Sequence, residues 1–364
     1  MKLSRLAWML WALVPVGLLA FHFGPGQAAF REDRAAKLVA KADDAQKDAL
    51  ALQDAGEMER LLRELLESGK LPRTETNYVP PGANRQMMQM LGAPDIAGEF
   101  EKLLEDADAV ILATPTKMHF RQGEQVMRAG KHVLVEIPVT DSVEDAENLA
   151  KIAKETGVTA MGGHVRRFNP SHQYVHKKIK KGELSIQQMD VQTYFFRRKN
   201  INAAGNARSW TDHLLWHHAA HTIDLFQYQA GENISDCYAV QGPIHPTLNI
   251  AMDMGIVART PSGKVLTLSL SFNNDGPLGS FFRYICDNGT YKAFYDDLSD
   301  GKDNKIDVSK VDVSMDGIEL EDREFIAAIQ EKREPNGSLA QLLPCMHVLG
   351  KLEQIIDPQR KAHA

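Results

Sequence analysis

Residues 208–226 read Arg-Ser-Trp-Thr-Asp-His-Leu-Leu-Trp-His-His-Ala-Ala-His-Thr-Ile-Asp-Leu-Phe and hold four of the thirteen histidines, His213, His217, His218 and His221. Histidine titrates nearest neutral pH of all side chains, which suits it to proton transfer. On a helix His217 and His221 stand i,i+4 and Asp224 a further i+3, so the three share one face. Leu214, Trp216, Leu225 and Phe226 supply apolar flanks. A lone histidine in such a stretch is more often a hydrogen-bonded core residue. Two on one stripe with a carboxylate point to an acid/base site, with His217, His221 and Asp224 as its catalytic candidates. His217-x-x-x-His221 is also spaced as a pair of metal ligands, but the glutamate of a His-Glu-x-x-His zinc helix is missing, and no metal is expected.

The elements that must position this stripe follow from composition and pattern. At 364 residues, 43% hydrophobic and 25% charged, the chain allows two domains, and a net charge of -6 argues against a nucleic-acid partner. The three cysteines, Cys237, Cys286 and Cys345, give neither metal spacing nor a disulfide framework. Residues 1–29 have the layout of a secretory signal: basic Lys2 and Arg5, an apolar run over 6–23, and small residues near Ala28. The run is also long enough for a membrane anchor. Gly24-x-Gly26-x-x-Ala29 is a loose dinucleotide fingerprint, without a following βαβ unit and ribose-binding acid. Residues 30–84 read as two helices and a proline-rich linker.

From residue 85 the pattern is α/β. The apolar runs 109–113, 131–136 and 159–163 read as buried parallel strands. Helices are expected over 86–91, 98–104, 119–129 (closed by Gly130) and 142–156 (with Asp141 as N-cap). Beyond Arg167 come a basic helix over 171–181 and a long strand over 185–198. Strands at 237–241, 252–259, 265–273, 281–287 and 291–295 follow the histidine stretch, with turns at 261–264 and 287–290. Helices over 322–331 and 338–355 close the chain. The expected fold is α/β: an incomplete Rossmann-like parallel-sheet domain (85–165), then an α+β domain with a large, mostly antiparallel open sheet (166–336), and a closing helix and tail (337–364).

Four motifs in order carry a resemblance. They are Asp108-Ala-Val-Ile-Leu-Ala-Thr-Pro-Thr116 with His119, Gly130-Lys-His-Val-Leu-Val-Glu-Ile-Pro138, Gly163-His-Val-Arg-Arg-Phe-Asn-Pro170, and His217-x-x-x-His221-x-x-Asp224. Together, over residues 85–357, they resemble the Gfo/Idh/MocA family of NAD(P)-dependent oxidoreductases. The segments 166–175, 187–200, 209–224, 271–279 and 322–328 narrow the likeness to members that act on a carboxylated semialdehyde from protocatechuate ring cleavage. That resemblance implies oxidation of the cyclic hemiacetal to the lactone 2-pyrone-4,6-dicarboxylate, with NADP (or NAD) as hydride acceptor.

The resemblance also implies roles. In the family an Asp-x-x-x-His pair and the lysine of Glu-Lys-Pro share the proton transfer. Here the Asp position is His217 and the Lys position is Ile137, so the acceptor should be His217 or His221, with Asp224 orienting a ring. Thr114, Pro115, Thr116, His119, Glu136, Pro138 and His164 are the implied cofactor contacts, past the carboxyl ends of parallel strands. A substrate with several carboxylates needs cations, and Arg166, Arg167, Arg197 and Arg198 are candidates because guanidinium forks grip carboxylates. Lys199 and Arg283 are weaker candidates. Asn273 and Asn274 suit a carbonyl contact or a turn. The family opens with a strand, a Gly-x-Gly-x-x-Gly turn and a helix, and residues 1–84 do not display that unit. A chain without it would be a non-catalytic remnant that binds no nucleotide. NADP chemistry implies the cytoplasm, the amino terminus export or anchoring, and the open sheet a homo-oligomer.

Overall fold

The computed structural model describes residues 100, 103–105, 107–200 and 211–357, within a unit spanning Pro81–Ala364. The expectations for residues 1–99, and the first three residues of the histidine stretch, lie outside the described residues.

Three short strands, β1 (Ala109–Leu112), β2 (His132–Val135) and β3 (Ala160–Gly162), pair in parallel in chain order. Val133, Leu134, Val135 and Met161 are almost wholly shielded, as a parallel sheet covered by crossover helices requires. Helix α1 (His119–Arg128) and helix α2 (Val143–Thr156) are those crossovers. Gly130 follows α1 with φ 75°, a left-handed position that closes the helix without Cβ strain. The N-cap of α2 is Ser142, not Asp141. Ser142 is extended (φ -142°, ψ 136°), and its hydroxyl accepts from the Asp145 amide at 3.3 Å.

A 3-10 turn (Val165–Arg167) and helix α3 (Pro170–Lys180) lead to β4 (Ile186–Tyr194). The later strands are β5 (Asp236–Gln241), β6 (Asp253–Arg259), β7 (Val265–Ser271), β8 (Gly279–Cys286), β9 (Gly289–Phe294), β10 (Asp297–Asp300) and β11 (Lys305–Ile306). They form one eight-stranded sheet in the order β11-β10-β9-β8-β4-β7-β6-β5. The β4–β7 pair is parallel and the others are antiparallel. Met189, Val191, Met254, Ile256, Leu266, Leu268, Leu270 and Phe282 point to the covered face. Tyr238, Val240 and Val257 alternate out of it and are more than half exposed, so the sheet is open on that side. The strand expected over 185–198 stops at Tyr194, past which Phe196 keeps an isolated bridge to Asn273.

The histidine stretch is not the uniform α-helix that its spacing predicts. Leu214–Ala219 is a π-helix, and only then does α4 (Ala220–Ala230) begin. Leu214, Leu215, Trp216, Ile223, Leu225 and Phe226 anchor both parts in the core, and Trp216 Nε1 donates to Glu353 at 2.8 Å. Helices α5 (Gly317–Glu331) and α6 (Leu339–Ile356) close the chain. Helix α6 packs on α2 beside the parallel sheet and on α4 and β5 beside the open one, so it fastens the two sheets together. Among the described residues no helix is long and apolar enough to cross a membrane.

A Cβ at Gly350 would lie 2.5 Å from Val143 Cγ2, so α6 meets α2 only because that side chain is missing. Gly350→Ala should cost about 1–3 kcal/mol through overpacking, read as a lower urea midpoint with an unchanged slope.

Candidate active site

The carboxyl ends of β1 and β2 carry the loops on which the site is built. Thr114 donates its hydroxyl hydrogen to Gln122 Oε1 at 2.6 Å. His119 Nδ1 lies 2.9 Å from the Pro138 carbonyl oxygen and its Nε2 lies 2.7 Å from that of Thr114. At 1% exposure His119 therefore clips one loop to the other and does not face a cofactor, which corrects its expected role. Burial lowers its pKa, against the pull of the carbonyls. The neutral ring has one N–H, so it donates to one of these carbonyls at a time.

Glu136 follows β2, with the Ile137 amide 3.3 Å from its Oε2 and a cis bond between Ile137 and Pro138. A Cβ at Gly163 would come 2.9 Å from the same oxygen, so the glycine keeps room for this carboxylate at the sheet's edge. Thr116, 9% exposed, reaches the histidine helix: its Oγ1 is 3.3 Å from His217 Nε2.

His217 Nδ1 lies 3.3 Å from the His213 amide, which can only donate. Neutral His217 thus carries its proton on Nε2, facing Thr116, and presents a donor there. Burial, then the neighbouring His213, bring its pKa down to about 3. His221 has its Nδ1 sealed and without a partner among the described residues, while the residue as a whole is half-buried. Burial and the Arg166 charge push its pKa well below the usual imidazole range.

Asp224 does not orient either ring. Arg167, from the 3-10 turn after β3, grips both its oxygens, with Nη2–Oδ1 at 2.6 Å and Nε–Oδ2 at 2.8 Å. His164 Nδ1 stands 3.4 Å from Asp224 Oδ2, near enough for an ion pair but not aligned as a hydrogen bond. Burial raises the Asp224 pKa, but Arg167 and His164 outweigh it and hold the carboxyl below its ordinary value. His164 itself is lowered by burial, despite Asp224. With Asp224 so committed, His217, His221 and Asp224 do not converge, and among the described residues no group of three or more side chains is arranged to hold a metal ion.

The expected cations separate by their partners. Arg167 is filled by Asp224, Asn336 and Gln341 and lies over the Tyr228 ring at 4.7 Å. Arg197 forks onto Asp212. Arg198 and Lys199 are exposed, and Arg198 donates to Asn273 Oδ1 at 3.1 Å. Asn273 is also exposed and donates to Asp253 on the strand beside it. Asn274 makes its turn by donating to the Pro277 carbonyl, and Arg283 is exposed on β8. Arg167, Arg197, Arg198 and Asn273 thus serve protein partners, against expectation. Arg166 remains: its Nη1 donates to Asn169 at 3.3 Å, its Nε is buried without a partner among the described residues, and no carboxylate there forms an ion pair with it. Its guanidinium lies 4.9 Å over Tyr295, and burial lowers its pKa.

Three groups escaped the sequence reading. Asp212 pairs with His218 Nε2 at 3.1 Å. Glu321 on α5 is 3% exposed with Oε1 unpartnered among the described residues, and burial followed by the Glu136 charge raises its pKa well above normal. His172 is fully buried against the Tyr284 hydroxyl at 2.7 Å. The Asp212-His213 dipeptide could have flagged the first pair; nothing local marks the other two.

His164, His172, His217 and His221 all have depressed folded pKa values, as does His176 at about 4. The unfolded chain then binds more protons than the folded one below about pH 6.5. Stability contributed by these neutral rings is complete above that pH and should fall as pH drops towards 4. Urea midpoints measured at stepwise lower pH should decrease through this window, and a flat profile would contradict the buried neutral assignment.

Comparison with known proteins gives two family matches: "Oxidoreductase family, NAD-binding Rossmann fold" over residues 23–164 and "Bacterial oxidoreductases, C-terminal" over residues 170–312. The first span takes in Gly24, Gly26 and Ala29 and weighs against a remnant without a nucleotide domain. The chain is 68% identical over 255 residues to 4-carboxy-2-hydroxymuconate-6-semialdehyde dehydrogenase of Sphingobium sp. (strain NBRC 103272 / SYK-6), covering 70% of this chain and 81% of that protein. It is 35% identical over 108 residues to scyllo-inositol 2-dehydrogenase (NAD(+)) of Bacillus subtilis, covering 28% of this chain and 31% of that one. Among solved structures, the WlbA dehydrogenase from Bordetella pertussis shares the fold with a TM-score of 0.61 at 21% identity, over 70% of this chain and 79% of that one.

Proposed function

The chain belongs to the Gfo/Idh/MocA family of NAD(P)-dependent oxidoreductases, and from that premise we propose that it oxidises the cyclic hemiacetal of 4-carboxy-2-hydroxymuconate-6-semialdehyde to 2-pyrone-4,6-dicarboxylate. The observation that carries the substrate class is Arg166, a half-buried arginine whose Nε is sealed without a partner and which forms no carboxylate ion pair among the described residues, Asp296 acting on it only from further away. Such a group is costly to bury and is offset when a ligand carboxylate arrives. It lies close enough to His221 for its charge to act there.

When bound, the nicotinamide ring accepts the hydride from the hemiacetal carbon. The chain's residues do the rest. Glu136, Thr114, Pro115, Thr116 and Pro138 line the carboxyl edge where dinucleotides sit in such sheets, and Gly163 leaves that edge open. His221 is the proton acceptor: it is neutral and only half-buried, and no lysine occupies position 137. His217 presents Nε2–H as a donor and holds Thr116 in place. Arg166 fixes a substrate carboxylate and so orients the hydroxyl towards His221. NADP is the proposed acceptor, in keeping with a catabolic reaction in the cytoplasm.

The test is formation of reduced cofactor, followed by absorbance, with purified full chain, the semialdehyde and either NADP or NAD. Arg166→Met should raise KM for the semialdehyde about 10–100-fold, the value of one to two charge-assisted hydrogen bonds, with a smaller change in kcat. Absence of turnover with both cofactors would sink the reading.

The open sheet supports a second copy of the chain as partner. Tyr238, Val240 and Val257 are apolar and exposed on a face that also carries Asp253, Arg259 and Arg283, so both signs of charge are available for self-complementary contacts. Val257→Asp should yield a smaller species by light scattering. An unchanged mass would put the partner elsewhere.

A further inference from the structure

Asp212 and His218 lie outside the pair that the family motif supplies, yet they form a polar cluster beside it. Asp212 takes the Arg197 fork on both oxygens, with Nη2–Oδ2 at 2.6 Å and a closer Nη1–Oδ1 contact. Its Oδ2 also faces His218 Nε2 at 3.1 Å. The His218 ring is held 5.0 Å from Phe195 and edge-on to Phe272 at 5.2 Å, and Arg197 lies over the same Phe272 at 4.6 Å. Asp212 is 9% exposed, and burial raises its pKa, but the hydrogen bonds from His218 and Arg197 prevail and keep it far below the carboxylate range. A carboxylate fixed at Nε2 holds the proton there and leaves Nδ1 as the free ring nitrogen.

His221, by contrast, stands in a poor place to keep a proton, because Arg166, His164 and His218 all disfavour charge on it. His218 lies three residues earlier, in the π-helical segment that runs straight into α4, and keeps 18% of its side chain exposed. We propose that His218, held by Asp212 and Arg197, is a positioning residue that relays to solvent the proton His221 receives. The inference rests on the dehydrogenase reading. In the step, the hemiacetal C–H bond breaks with hydride passing to the nicotinamide, and the O–H bond breaks with its proton passing to His221. The carbonyl of the lactone forms between those atoms. The proton then moves to His218 Nδ1 and out to water, so one hydride and one proton leave the substrate. The charged and titratable groups facing His218 are Asp212 and Arg197 from the preceding segments and His217 and His221 from its own helix.

The test uses full-length wild type, His218→Gly and Asp212→Asn, with rates of cofactor reduction measured across pH. His218→Gly should lose on the order of 10²-fold in kcat with little change in KM, and added imidazole should restore rate in proportion to its free-base concentration. Asp212→Asn should lower kcat with little change in KM, because the His218 ring loses the carboxylate that orients it. A kcat near wild type in His218→Gly would overturn the proposal, and so would a loss that imidazole does not rescue in protein of normal melting temperature. Should Asp212→Asn fail to fold, the His218→Gly rescue alone decides. Wild type that reduces neither cofactor would take down the dehydrogenase reading itself, a result distinct from either variant outcome.

Discussion

The buried pair between Arg167 and Asp224 joins the two halves of the described fold. Arg167 leaves the 3-10 turn after β3, at the edge of the parallel sheet, and Asp224 sits in the middle of α4, under the open one. Both are at most 6% exposed, and the pair meets through two hydrogen bonds. Desolvation takes back much of what the Coulomb attraction gives, so the pair adds little net stability over a packed apolar one. Losing one partner would still cost about 3–5 kcal/mol, because a bare charge would stay buried. Its physical effect is on register: α4 can turn only one way and keep Asp224 on the guanidinium. The remaining Arg167 donor group reaches Asn336 and Gln341, so the start of α6 is set by the same side chain.

That constraint fixes what the histidines can do. With Asp224 held by Arg167, no carboxylate from α4 is left to orient His217 or His221. The π-turn at Leu214–Ala219 further changes their phase relative to a regular helix. His217 is turned to Thr116 by the His213 amide, and His221 is left among neutral and positive neighbours. The carboxylate that serves an imidazole here comes from Asp212, one residue before the π-helical segment's flank, and it serves His218. Orientation of these rings is thus supplied from the segment that precedes the helix and not from within it.

Much of the fold was legible because its signals are local. Runs such as Ala109–Leu112 and His132–Val135 are apolar and β-branched, and their ends are marked by Pro115, Gly130 and Pro138. The consecutive strands and their turns at 261–264 and 287–290 predicted a largely antiparallel sheet, and the structure has one. β10 and β11 were missed because Asp-Leu-Ser-Asp and Lys-Ile carry neither length nor β-branched bias, and their pairing is set by the edge of β9. The π-turn left no periodic trace, since the stretch still satisfies i,i+4 spacing. Within the site, residue type was readable but partnership was not. Arg166 and Arg167 are adjacent and identical in the sequence, and only a carboxylate 57 positions on separates a structural arginine from an available one. His119 likewise looked like a ligand contact until two carbonyls were found at its nitrogens.

The same accounting gives sense to Ile137. Hydride departure leaves positive charge developing on the hemiacetal carbon, and a cation beside that carbon raises the barrier. The proposed site already holds Arg166, which burial keeps poorly screened and which a substrate carboxylate must neutralise. A lysine ammonium at position 137 would be a second cation, with Glu136 beside it in the chain as its counter-charge, while Glu321 is pushed towards its neutral form by burial and by Glu136. An isoleucine there adds no further charge and leaves proton removal to neutral imidazole. On this argument the isoleucine and the surplus of histidine go together: the site avoids a second cation and hands proton removal to neutral imidazole because its substrate brings the charge.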